Sequence, residues 1–308
     1  MYGRPPMIEL WFYYTLIAMF IIGSLTLVDK MLVNNFIQDP VAFTMLVALS
    51  ALVPFIGLLY FPLKPIAIST VLLCIVAGFV HTTYVYPYYR SLVFEEVSRV
   101  VPLWQLTPIF VVILARMFLG EILSVPDYVA FILIIIGALF FSIKREQKFS
   151  LSSALYLMLI SSIFVAIFTI LAKFAFTVED LFSAFLYIQM GIILSFIILF
   201  AKKEYRGRFI HAFTSIPRFV CLIAILDVAA GYVSFAAYSL AVSLGPVSLV
   251  SVVYAVQPVY VLLAATVIGI KYKSLIRERV TRWTFTQKLL GVALILIGIY
   301  IVNFPELF

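Results

Sequence analysis

Apolar residues run along this chain in long stretches, cut at intervals by short groups of charged and turn-forming residues. A helix needs about 20 apolar residues to cross the hydrocarbon layer of a bilayer. On that measure the pattern predicts ten spans, at residues 11–33, 41–61, 67–90, 97–119, 126–143, 153–176, 182–201, 219–243, 247–270 and 285–304. None of these runs alternates apolar with polar positions at the period of two that marks the strands of a membrane barrel. The spacing therefore predicts an all-α membrane protein of ten transmembrane helices.

Part of the pattern occurs twice. "VSRVVPLWQLTPIFVVILARMFLGE" at 97–121 has an echo in "VSLVSVVYAVQPVYVLLAATVIGIK" at 247–271, aligning Ser98 with Ser248, Trp104 with Tyr254, Pro108 with Pro258 and Ala115 with Ala265 at a constant offset of 150. A second echo pairs "LTLVDKMLV" (25–33) with "FTILAKFAF" (168–176), Thr26 with Thr169 and Lys30 with Lys173, at an offset of 143. Asp39 and Asp180 then each stand just before the following span. Residues 1–148 and 149–308 thus form two copies of one five-helix unit. A unit with an odd number of crossings inserts its second copy upside down. Inverted repeats of this kind build secondary transporters, with the substrate site between the halves near the midplane.

Composition agrees with a membrane setting. Hydrophobic residues make up 65% of the chain and charged residues 11%, with a mean hydropathy of +1.19, whereas soluble domains carry about 25% charged residues. The net charge of +7 is concentrated in loops 144–148, 202–218 and 271–288. The opposite side carries Glu9, Glu121, Asp127, Glu179, Asp180 and Glu306. The excess of Lys and Arg places the basic loops in the cytoplasm and both termini outside a cell (inner or plasma) membrane. Basic residues clustered at membrane edges point to the bilayer as partner, not to nucleic acid. Cys74 and Cys221 both fall within spans, which suits apolar filler better than a disulfide framework.

Ten helices in two five-helix units, a Lys late in the first and sixth spans, and a Pro-x(11)-Gly-Glu motif at Pro108 and Gly120-Glu121 resemble the drug/metabolite transporter superfamily, EamA-like branch. The resemblance spans nearly the whole chain. It implies a secondary transporter, often an exporter, whose third, fourth, eighth and ninth spans line a central cavity. Two features depart from it. Ile270-Lys271 stands where the second unit would carry Gly-Glu, and the charge count orients the termini opposite to the usual family expectation.

Charged side chains at mid-membrane need a cavity or a partner and are functional candidates for that reason. Asp227 lies about 12 Å into the eighth span at 1.5 Å per residue and suits proton coupling, a cationic substrate group, or a structural hydrogen bond. His81 sits at similar depth in the third span, where an imidazole can relay protons or be a satisfied core histidine. Tyr84, Trp104 and Tyr254, with polar Gln105 and Gln257, are the candidate binding wall. Pro108 and Pro258 bend the helices that carry it, and membrane helices tolerate such bends beside a cavity or a compensating neighbour. Tyr88 and Tyr89, next to Arg90, fit the interfacial aromatic belt. Lys30 and Lys173 are assigned to packing or gating. Asp29 is given only a loose interaction with Lys30, because adjacent residues diverge around a helix.

No nucleotide-binding loop, metal-ligand spacing or nucleophile elbow occurs in the chain, so neither cofactor, metal nor enzymatic activity is expected. The sequence therefore points to alternating-access transport of a small organic metabolite or amphipathic cation, with proton coupling through Asp227 and His81, and the family resemblance implies the direction of efflux. A lipid or solute flippase and a channel are the alternatives. Two fused repeats allow a functional monomer.

Overall fold

In a computed structural model, residues 9–94, 100, 103–142, 153–254, 256–257, 260–261 and most positions of 290–301 are described. Among these residues all regular structure is helical. The helices are α1 (Leu10–Asn35), α2 (Pro40–Ser50), α3 (Ile68–Phe94), α4 (Thr107–Phe118), α5 (Val125–Ser142), α6 (Ser153–Val178), α7 (Leu181–Ala201), α8 (Lys203–Thr214), α9 (Arg218–Leu244) and α10 (Val247–Tyr254). Further helical positions lie between 290 and 301. Six segments are long and apolar enough to span a bilayer: 10–33, 40–59, 68–93, 156–178, 181–201 and 218–244. Two shorter apolar helices, Thr107–Phe118 and Val125–Gly137, accompany them.

Local chemistry sets the ends. Asp39 caps α2 by accepting the Val41 N–H at 2.9 Å, with Pro40 at the first helical position. Asp180 likewise caps α7 by accepting the Ser183 N–H at 3.1 Å. Cap side chains satisfy N–H groups that have no partner within the helix. The predicted span 41–61 is helical only to Ser50 and continues as a 3-10 segment over Val53–Leu59. Pro54 lacks an N–H and cannot carry the α ladder through this stretch. In the predicted span 97–119, a 3-10 turn at Trp104–Leu106 enters α4 with Pro108 in its first turn. The loop predicted at 202–218 contains α8, a helix the hydropathy pattern did not call for. Its apolar residues Tyr205, Phe209, Ala212, Phe213 and Ile216 recur at helical spacing, but too few to register as a span.

Packing organises the long helices into two intimate pairs, α1 with α9 and α3 with α6, while α7 also lies along α3. Gly78 and Gly191 let α3 and α7 touch backbone to backbone: a Cβ on Gly78 would collide with the Ile188 carbonyl, and one on Gly191 with the Ile75 carbonyl. Small residues are how membrane helices approach closely where lipid supplies no hydrophobic drive between them.

Polar contacts tie the connections together at both ends. Arg208 of α8 donates twice to Asp39, Nε to Oδ2 and Nη2 to Oδ1, both at 2.7 Å. Partial burial acts to raise the Asp39 carboxyl, but the guanidinium and the Val41 N–H hold it below its ordinary range. At the other end Lys64 donates to Asp180 at 2.5 Å, and that bond with the Ser183 N–H lowers the Asp180 carboxyl. Glu179 accepts the Ala67 N–H at 3.0 Å.

Candidate functional site

Seven helices and the 3-10 turn before α4 converge on a central cavity of about 200 Å³. Its first wall comes from α3 and the turn before α4. Tyr84 and Tyr88 are four residues apart, so both point to one face of α3. Trp104 meets them edge-on, its ring centre 4.5 Å from Tyr88 and 6.5 Å from Tyr84. The second wall comes from α9 and α10, where Tyr238 and Tyr254 meet at 5.1 Å in a similar T-shaped pair. At the offset of 150, Tyr88 corresponds to Tyr238 and Trp104 to Tyr254. The two walls are built alike.

The hydroxyl contacts follow the same correspondence. Thr26 faces the Tyr88 hydroxyl, and Thr169 lies 3.3 Å from the Tyr238 hydroxyl. Gln257 Nε2 also donates to Thr26 Oγ1 at 3.1 Å. Lys30 and Lys173 stand behind the cavity. Lys30 Nζ donates to the Leu92 carbonyl at 2.8 Å, and Lys173 Nζ to the Val242 carbonyl at 2.8 Å and the Gly245 carbonyl at 2.9 Å. Leu92 and Val242 are again 150 residues apart. Each lysine thus sits on carbonyls near the end of a long helix, where cations complement the partial negative charge. Glu121 completes the second of these ends: its Oε1 accepts the Val247 N–H at 2.8 Å and its Oε2 the Ser248 N–H at 3.1 Å, at the start of α10. Gly120, with φ +67°, provides the left-handed turn that delivers it, a conformation costly for residues with a Cβ.

An acid pair breaks the correspondence. Asp29 of α1 and Asp227 of α9 are 4% and 6% exposed and line the cavity. Their carboxyls face each other within hydrogen-bonding reach, and the Tyr89 hydroxyl donates to Asp29 Oδ1 at 3.0 Å. An ionised carboxyl can only accept, so a direct hydrogen bond between the two would need a proton on one of them. Asp227 Oδ1 is left without a partner. No Lys or Arg stands among the described lining residues. At the same sequence offsets the corresponding positions are Ala172 for Asp29, Ala77 for Asp227 and Ser239 for Tyr89, all of them buried.

His81 packs among Tyr84, Phe168 and Phe235, with ring centres at 4.7, 5.3 and 5.2 Å. Its Nδ1 has no hydrogen-bond partner.

Of the residues picked from sequence, Trp104, Tyr254, Tyr84, Gln257, Asp227, His81 and Pro108 all line the cavity. Gln105 lies in the 3-10 turn, its side chain outside the described residues, and Pro258 lies outside them altogether. Two assignments change. Tyr88 and Tyr89 are not belt residues: they are 9% and 6% exposed and line the cavity, because the face that carries Tyr84 inward carries Tyr88 with it. Asp29 does not serve Lys30 but faces Asp227. Its signal was the three-residue spacing from Thr26, which places both on one helix face.

Fold and cavity together define a multi-pass helical membrane protein enclosing a chamber on the scale of a small solute. Residues 9–143 match the model of the EamA-like transporter family. Of 28 solved chains that match, one described as "Crystal structure of protein" is 14% identical with a TM-score of 0.65, covering 93% of this chain and 94% of that chain. At that identity the likeness speaks for the fold alone. No curated protein matches the chain.

Proposed function

We propose that the chain is a secondary transporter that exports a small, amphipathic organic cation in exchange for protons, with the Asp29–Asp227 pair as the site where the two compete. The observation that carries this reading is the buried acid pair on the wall of an aromatic cavity. Two carboxyls in contact are stable with a shared proton or with a cation between them, because two adjacent negative charges repel strongly in a low dielectric. Aromatic faces favour the same cation by attraction to the ring quadrupole. His81 is positioned as a relay beside the pocket.

The two units act as inverted repeats in this reading, rocking about the cavity to open it to each side in turn. The matched contacts support it: Tyr88–Trp104 with Tyr238–Tyr254, Thr26–Tyr88 with Thr169–Tyr238, and Lys30–Leu92 with Lys173–Val242. The basic loops lie in the cytoplasm, both termini lie outside, and one chain suffices for transport. A cavity of about 200 Å³ favours a small solute over a lipid with its acyl chains.

The test is transport in proteoliposomes. A thermal-stability screen with amphipathic amines and neutral aromatic metabolites first selects a ligand, since native-state binding raises the melting temperature by mass action. An imposed proton gradient should then drive uptake of that ligand, and Asp227→Asn should abolish the driven uptake while the protein still folds. Unchanged driven uptake in the variant would remove the coupling role. Single-channel currents without counterflow would replace the transporter reading by a channel.

A further inference from the structure

We propose that α8 and the residues flanking it form a binding surface for anionic phospholipid head groups, clamped to the transport core by Arg208. The placement of the helix comes first. A single residue, Lys202, separates α8 from α7 and serves as C-cap of one and N-cap of the other. Three residues, 215–217, lead on to α9. Tethers this short hold α8 at the level where both spans leave the hydrocarbon.

One edge of the helix is fastened. Phe209 packs against Phe196 at 5.9 Å and Phe200 at 6.3 Å on α7, and Arg208 is engaged by Asp39. The other edge is open and basic. Lys202, Lys203, Arg206 and Arg218 are exposed, and none has an ion-pair partner among the described residues. The helix's acid, Glu204, leans toward Arg208 at 3.7 Å. Beside the cations stand apolar side chains, Ile210 at 49% and Phe219 at 71% exposed. Cations next to exposed apolar groups, on a helix pinned at the membrane surface, match a boundary of phosphates and acyl chains. A soluble acidic partner would complement the charges but leave Ile210 and Phe219 uncovered.

The experiment uses the full chain in a neutral detergent, with thermal unfolding measured after addition of phosphatidylglycerol, phosphatidylcholine or inorganic phosphate. Phosphatidylglycerol should raise the melting temperature by several degrees, and the other two should leave it in place. In K202Q/K203Q/R206Q the phosphatidylglycerol shift should fall to half or less, while the melting temperature without lipid is unchanged, because the three side chains are exposed. A full shift in the variant overturns the proposal, as does an equal shift from phosphatidylcholine or from phosphate alone. Should the variant not fold, salt decides with the unaltered protein: 0.5 M NaCl should erase the phosphatidylglycerol shift, and a shift that survives salt overturns the proposal.

Discussion

The wall made by Tyr88 and Trp104 and the wall made by Tyr238 and Tyr254 use the same ring geometry, the same threonine partner and the same lysine behind the helix. Only the first has acid beside it. The positions matching Asp29 and Tyr89 at the sequence offsets are Ala172 and Ser239, and the position matching Asp227 is Ala77. Because Ala77, Ala172 and Ser239 are all buried, the fold packs these positions equally well without charge. The acid pair is therefore not something the architecture needs. It is a chemical difference between two structurally matched surfaces, and the proposed function assigns it to what the cavity binds.

The largest effects should come from erasing or transplanting that difference. Asp29→Ala with Asp227→Ala makes the two sides chemically alike, and proton-driven uptake should fall at least about tenfold. The melting temperature should hold or rise, since replacing a buried ionisable pair by apolar groups is often neutral or stabilising by about 1–4 kcal/mol. Loss of transport together with loss of folding would return the pair to a structural role. Ala77→Asp places an acid where no donor awaits it and should cost about 1–3 kcal/mol or more, read from thermal unfolding.

Next in size are the rings. Trp104→Ala and Tyr254→Ala should each weaken ligand binding about tenfold, roughly 1.4 kcal/mol, in a direct binding assay. Trp104 should be the costlier of the two if the acid pair draws the ligand to its wall. Equal losses would place the ligand midway.

The lysines come third. Lys173→Met strips the donor from the Val242 and Gly245 carbonyls and should cost about 1–3 kcal/mol of stability. Lys30→Met should lower stability in the same sense. A loss confined to one of them would break the correspondence between the helix ends.

The smallest effect is a pH signature at the membrane edge. Asp39 is held below its ordinary value of 3.8, so its ion pair with Arg208 contributes fully above about pH 4 and is lost as pH falls through the lowered value. The melting temperature of the unaltered protein should exceed that of Asp39→Asn at pH 6, by the equivalent of about 1 kcal/mol for a partly exposed pair. The gap should close in acid. A gap that widens there would reverse the sign and the assignment.

How much of this could be read in advance depended on the kind of signal. The six long spans were legible because continuous apolar runs leave little else for the chain to do in lipid. The aromatic cavity was legible through Trp104, Tyr254 and Tyr84, since prolines and polar residues flank them. Asp29 was not, because its sequence neighbour Lys30 offers an obvious local partner and only the packing of α1 on α9 reveals the real one. Tyr88 and Tyr89 were misplaced for a related reason: proximity to Arg90 in sequence suggested the interface, while Tyr88 follows Tyr84 and Tyr89 follows Val85, each at four-residue spacing, into the cavity. Helix α8 was hidden by its own charges, which mark a loop by composition although the apolar spacing is helical.

The turn between α9 and α10 carries one more consequence. Lys173 closes the carbonyls on one side of it, Glu121 closes the amides on the other, and the Trp11 ring lies against Gly245. Backbone groups satisfied by protein do not need water to satisfy them. A machine that trades one solute for another wastes its gradient through any wet seam, because a file of water molecules conducts protons unpaid. Under the proton exchange proposed above, backbone satisfied by protein at this corner would be a matter of thermodynamic efficiency as much as of shape, keeping protons to the route past the acids.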